Sequence, residues 1–95
     1  MILKKIGENE TEVKIGGLEI LFSYNTPVAV IKTNEPIYFE TSKKFSVTTT
    51  KHINKWWRKK GIEVLSPVMV EQEELEDIIQ ETWTDKSYRK YSIFV

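Results

Sequence analysis

The chain has 95 residues, 40% of them hydrophobic and 12% aromatic, with fourteen basic and fourteen acidic side chains and no cysteine. That length fits one domain with one modest core, and the apolar content speaks against disorder. Without cysteine there is no disulfide, thiolate nucleophile or Cys-ligated zinc. The opening MILKKIGENE lacks an apolar stretch of signal-peptide length, and no run is long enough to span a membrane, so a cytoplasmic protein without membrane association is expected.

Five short runs with strand character follow one another: Ile2–Ile6, Thr11–Ile15, Leu18–Tyr24, Val28–Lys32 and Ile37–Thr41. Gly7-Glu8-Asn9-Glu10, Gly16-Gly17, Asn25-Thr26-Pro27 and Thr33-Asn34-Glu35-Pro36 punctuate them as turns. Leu18, Ile20 and Phe22 point one way, and Glu19, Leu21 and Ser23 the other. Runs so spaced predict an antiparallel meander.

The period then changes. Ile53, Trp56, Trp57 and Lys60 recur at helical spacing, which predicts a helix near 49–60. Thr48, Thr49 or Thr50 can cap its start, and Gly61 suits the left-handed position past its end. Ile62–Val70 reads as an extended segment broken at Ser66-Pro67, and hence an edge strand or two short pieces. Leu75, Ile78, Ile79 and Trp83 predict a second helix near 72–82, with its acids early, where the helix dipole favours them. Tyr88–Val95 alternates aromatic and polar residues as a last strand would. The expectation is an α+β fold: a sheet of about five antiparallel strands, the first helix packed on one face and the second beside or beyond it.

Charge is laid out in blocks. Residues 1–40 carry four basic and six acidic groups; residues 41–62 carry seven basic groups and no acid; residues 63–85 carry eight acids and no base; the last ten add three cations. Two readings stand side by side: the blocks neutralise each other inside the fold, or each faces its own partner. Frequent Ile, Lys and Glu with scarce Gln resemble a thermophile's composition.

His52 stands alone, without HxxxH or HExxH spacing, and no G-x-S-x-G elbow accompanies the nearby serine and threonines. The glycines form no phosphate loop, and the acids at 71–77 read as a solvated helix face rather than a Mg²⁺ site. No cofactor and no catalysis are expected. Trp56-Trp57 takes two readings. Adjacent helical residues are about 100° apart, so both rings can flank one apolar stripe and cover the sheet. Alternatively, one ring remains exposed among cations and stacks on bases. On the second reading the nucleic-acid-binding set is Lys43, Lys44, Lys51, Lys55, Arg58 and Lys59 for phosphate and Trp57 for stacking.

Tyr24-Asn25-Thr26-Pro27-Val28-Ala29 and the run from Lys44 to Trp56, KFSVTTTKHINKW, resemble a family of short uncharacterised proteins of bacteriophages, plasmids and archaeal mobile elements. The shared pattern is Y-x-T-P-V-A, then S-x-T-T-[ST]-K-H-I-N-[KR]-[WF], covering about Phe22–Trp57. The resemblance implies a mobile-element origin and no particular activity. It also frames a physical alternative, in which the polar residues at this strand-to-helix junction bond one another and cap the backbone. The expected function is that of a small non-catalytic accessory protein of a virus or mobile element, binding nucleic acid through residues 41–62. The alternative is a protein-interaction module, a homodimer or a binder of a host factor, using the acidic helix or a sheet edge.

Overall fold

The five runs form the expected meander: β1 (Ile2–Gly7), β2 (Glu10–Ile15), β3 (Leu18–Ser23), β4 (Thr26–Lys32) and β5 (Ile37–Thr41), each antiparallel to the next. The structure is a computed structural model and describes residues 1–63 and 65–83. α1 (Val47–Lys59) follows, then β6 (Val68–Val70) and α2 (Gln72–Thr82). β6 adds a sixth strand beside β5, parallel to it. The sheet is therefore mixed and one strand wider than the sequence suggests. β6 is the three-residue piece of the extended segment Ile62–Val70 that follows Pro67, at the end of the sheet order as read for an edge strand; its parallel pairing with β5 is what three residues cannot announce. The expected strand at Tyr88–Val95 lies outside the described residues.

Strand register sorts the side chains into two layers. One row across the sheet reads Leu3, Val13, Ile20, Val30, Phe39, Val68; its neighbour reads Lys4, Glu12, Leu21, Ala29, Glu40, Met69. Since successive residues point to opposite faces, the first row faces one layer and the second the other. The first layer holds Val13, Leu18, Ile20, Phe22 and Val30 against Leu75, Ile79 and Trp83 of the α2 region. The second holds Leu21, Val28, Ala29 and Ile31 against Ile53, Trp56 and Trp57 of α1. Val28 and Ala29 are consecutive yet share a layer. Strict alternation forbids that; the register shift between Leu21 and Phe22, which pairs Phe22 with Pro27, permits it.

The helices thus occupy opposite faces of the sheet, where the sequence placed the second beside or beyond the first. Among the described residues the sheet therefore separates the cations of α1 from the acids of α2, so the two helices do not neutralise each other as one of the two sequence readings has it.

Ser46, rather than one of the three threonines, caps α1: its φ is −139° and its Oγ accepts the Thr49 N–H at 3.1 Å. The threonines are one turn too late, already helical. The other end closes as expected. Gly61 has φ +74°, its N–H donates to Arg58 O at 3.1 Å, and the Ile62 N–H donates to Trp57 O at 2.9 Å. This is the paired-bond ending that needs a left-handed residue, and Ile62 then packs on the α1-side core.

Gly61→Ala is expected to lower stability by about 1 kcal/mol, because a Cβ is strained at positive φ. The space around it is open, so backbone strain alone sets the cost. Trp56, 1% exposed, fills the core. Trp56→Ala should cost about 3–5 kcal/mol. Urea or guanidinium midpoints measure both.

Candidate functional site

α1 has two working faces. Its inward face buries Thr49, His52, Ile53, Trp56 and Trp57. Its outward face carries Lys51, Lys55, Arg58 and Lys59, all exposed, at i, i+4, i+7 and i+8.

The inward face meets acids of the strands. The Trp56 Nε1–H donates to Glu12 Oε2 at 2.9 Å, and the Trp57 Nε1–H to Glu40 Oε1 at 2.7 Å. Glu12 lies on β2 and Glu40 on β5, three strand spacings apart, or about 14 Å. Adjacent indoles therefore reach in opposite directions across the sheet. Lys60 bonds Glu19 at 2.6 Å and Glu12 at 3.1 Å, and Lys55 bonds Glu10 at 2.8 Å. Burial pushes the Glu12 carboxyl up, but the Trp56 and Lys60 hydrogen bonds and the charges of Lys60 and Lys14 outweigh it and hold the group below its ordinary value. Burial raises Glu40, with only the Trp57 bond opposing. For Lys60, burial disfavours the ammonium, yet the bonds to Glu19 and Glu12 prevail and raise it.

A buried polar cluster lies under the N-terminal half of the helix. Ser23 Oγ is 2.8 Å from His52 Nδ1 and 3.0 Å from Thr49 Oγ1, and Thr49 Oγ1 also accepts from Ser46 Oγ at 3.3 Å. His52 Nε2 is 3.9 Å from Glu10 Oε2. Serine, histidine and glutamate in sequence resemble a hydrolytic relay, but the geometry is that of a brace. Ser23 is buried and both its bonds run to α1, and Glu10 is beyond hydrogen-bond reach of the imidazole. Tyr24, at φ +56°, leans on His52 with ring centroids 6.1 Å apart, and its N–H donates to Asn9 O at 2.7 Å. The Tyr24–Pro27 segment and the Ser46–Trp56 segment, quoted together in the sequence pattern, thus meet through Ser23, Tyr24, Thr49 and His52.

The sequence-derived binding set divides. Lys43, Lys44, Lys51, Arg58 and Lys59 are exposed. Lys55 is exposed along its side chain but tied to Glu10. Trp57 is fully buried, edge-on to Tyr38 and hydrogen-bonded to Glu40; its ring has no face for a base. The sequence reading of Trp57 as a stacking residue is corrected: the ring's place is in the core. Glu10, Glu12, Glu19 and Glu40 were not singled out by sequence. Their signal was positional, since Glu19 and Glu40 alternate onto the face of Leu21 and Tyr38, where a carboxylate needs a donor from whatever covers it. On the far side of the sheet Glu73, Glu74, Asp77 and Glu81 are exposed along α2. Among the described residues no three metal-ligating side chains converge, and no helix is long and apolar enough to cross a membrane.

Residues 1–77 match the family of unknown function DUF8033, and the chain belongs to that family. No curated protein and no solved structure matches it.

A carboxylate depressed by folding contributes stability that is complete above its ordinary value and is lost as pH falls through the folded-state one. For Glu12 that loss begins below about 4.5. Glu12→Gln keeps an acceptor for the Trp56 N–H while removing the titration. Its denaturant midpoint should therefore fall less steeply than the parent's between pH 5 and pH 3 (about the range in which carboxylates titrate).

Proposed function

We propose that the protein is a small non-catalytic accessory protein of a virus or mobile element that binds nucleic acid through the outward face of α1. The carrying observation is the row Lys51, Lys55, Arg58, Lys59, continued by Lys43 and Lys44 on the loop before the helix, with the acids of α2 on the opposite face of the sheet. A phosphate backbone approaching α1 meets cations on a rigid helix, and the sheet stands between it and the exposed α2 carboxylates. Lys51 to Lys59 spans about 12 Å of helix. The row is lysine but for Arg58, with few side chains suited to reading base edges, so the reading is of electrostatic binding weakly dependent on sequence.

A second reading has its own observation. Among the described residues β1 is an open sheet edge whose Ile2 and Leu3 are 64% and 47% exposed, a surface that suits strand addition by a protein partner.

Fluorescence anisotropy with labelled oligonucleotides in low salt separates the two. Four to six phosphate contacts give a log–log salt slope on the order of −3 to −5. Lys51→Ala with Lys59→Ala should flatten it by up to about 2 and weaken all sequences alike. Lys55 is left in place, because its loss would strand the buried Glu10. Absence of binding at tens of micromolar protein, about −6 kcal/mol, sinks the nucleic-acid reading.

A further inference from the structure

Burial of Trp57 leaves the basic helix face without an exposed tryptophan ring. The basic segment contains three aromatic residues before Gly61: Phe45, Trp56 and Trp57. Both tryptophans are spent in the core, while Phe45 is 40% exposed on the loop that enters α1. It sits immediately before the capping Ser46. An apolar residue at this position commonly packs on an apolar side chain four residues into the helix, fixing the entry of the chain. Here that residue is Thr50, exposed and polar, so the helix offers Phe45 no such partner. Its neighbour Val47 is 73% exposed as well. By contrast Tyr24, also exposed, has a structural task against His52.

Along the chain, Phe45 lies in a segment, residues 41–62, whose charges are all of one sign. The Lys43 ammonium lies 5.2 Å from the ring centroid, Lys44 precedes the ring, and Lys51 stands one turn further along α1. The loop is fastened at its start: the Ser42 N–H donates to Val70 O at 2.7 Å and the Lys43 N–H to Thr41 Oγ1 at 3.2 Å. The Ser46 cap fastens its end. A ring held between two anchored points is placed without the entropy of a long free loop.

We propose that Phe45 is a stacking platform for an unpaired base, making the ligand of this surface single-stranded rather than duplex nucleic acid. The proposal rests on the nucleic-acid reading of α1 and sharpens it. Phe45 takes the face of a base, Lys43 and Lys44 meet the phosphates flanking it, and the row from Lys51 to Lys59 follows the strand onward. Aromatic stacking is sequence-tolerant, since every base has a π face, and it is denied to a base enclosed in a duplex. The exposed Lys43 ammonium, which lies over the ring 5.2 Å from its centroid, gives that face up to the base and turns to the flanking phosphate.

The test compares the parent, Phe45→Leu and Phe45→Trp on labelled single-stranded and duplex oligonucleotides of equal length at one low salt concentration. Phe45→Leu keeps apolar bulk and removes the π face; being on an exposed loop it should leave the denaturant midpoint unchanged, which is measured alongside. The expected result is binding to single strands weakened about 5- to 150-fold by Phe45→Leu, retained by Phe45→Trp, and duplex binding altered less than about twofold. Equal weakening of both ligands, or no weakening of either, overturns the stacking platform while the electrostatic reading of α1 stands. Binding of neither ligand by the parent overturns both together.

Discussion

The two indole hydrogen bonds of Trp56 and Trp57 fix how this molecule is arranged. An amphipathic helix laid on a sheet by apolar contact alone can slide and rotate, because hydrophobic attraction is non-directional. Here adjacent rings donate to carboxylates on β2 and β5, which pins α1 across the intervening strands at two separated points. Rotation about the helix axis would break one or both bonds and leave a buried carboxylate unpaired, an expensive outcome. With the rotation fixed, Lys55 and Lys60 fall beside Glu10, Glu12 and Glu19, and the remaining cations are committed to the solvent side.

Most of the fold was legible because its signals are local. The five strands follow from alternation and turn residues, α1 from its helical spacing and Gly61, α2 from Leu75, Ile79 and Trp83. What escaped the sequence depends on distance. Nothing within Val68–Val70 says that it will lie parallel to β5, since three residues carry no period and the pairing is decided by the helix between them. Nor does either helix state which face of the sheet it covers; both faces are apolar near the middle strands. The same limit governs the site. Lysines on a helix announce a charged face, but whether an indole among them is exposed depends on carboxylates more than a dozen residues away in the chain. His52 and Ser23 show it too: 29 residues apart, they read as isolated polar side chains until α1 packs on the sheet and brings them into contact.

The zero net charge of the chain conceals two surfaces of opposite sign with a sheet between them. The acids that neutralise α1 come from the strands beneath it: they take up Lys60 and pair with Lys55, whose side chain stays 61% exposed, while leaving Lys51, Arg58 and Lys59 to solvent. α2 keeps its carboxylates on the other side, where Lys32 lies 3.8 Å from Glu81. Among the described residues, separation of this kind sets a dipole across the sheet, the sort of field that steers charged molecules in solution.

The parallel pairing of β6 has a consequence for the order in which the protein assembles. The meander from β1 to β5 is built of hairpins, whose contacts are close in sequence and form quickly. β6 can join β5 only after the chain has passed through α1, so its loop closure comes later. α2 follows β6 with a single residue, Glu71, between them. The second face of the sheet is therefore covered by a helix whose tether is a three-residue edge strand. Detachment of β6 and α2 together, with loss of the Gln72 bond to Pro27 O, would uncover Val13, Ile20 and Val30 and leave the contacts of the two tryptophans in place, which makes the pair a unit of the kind that opens sub-globally.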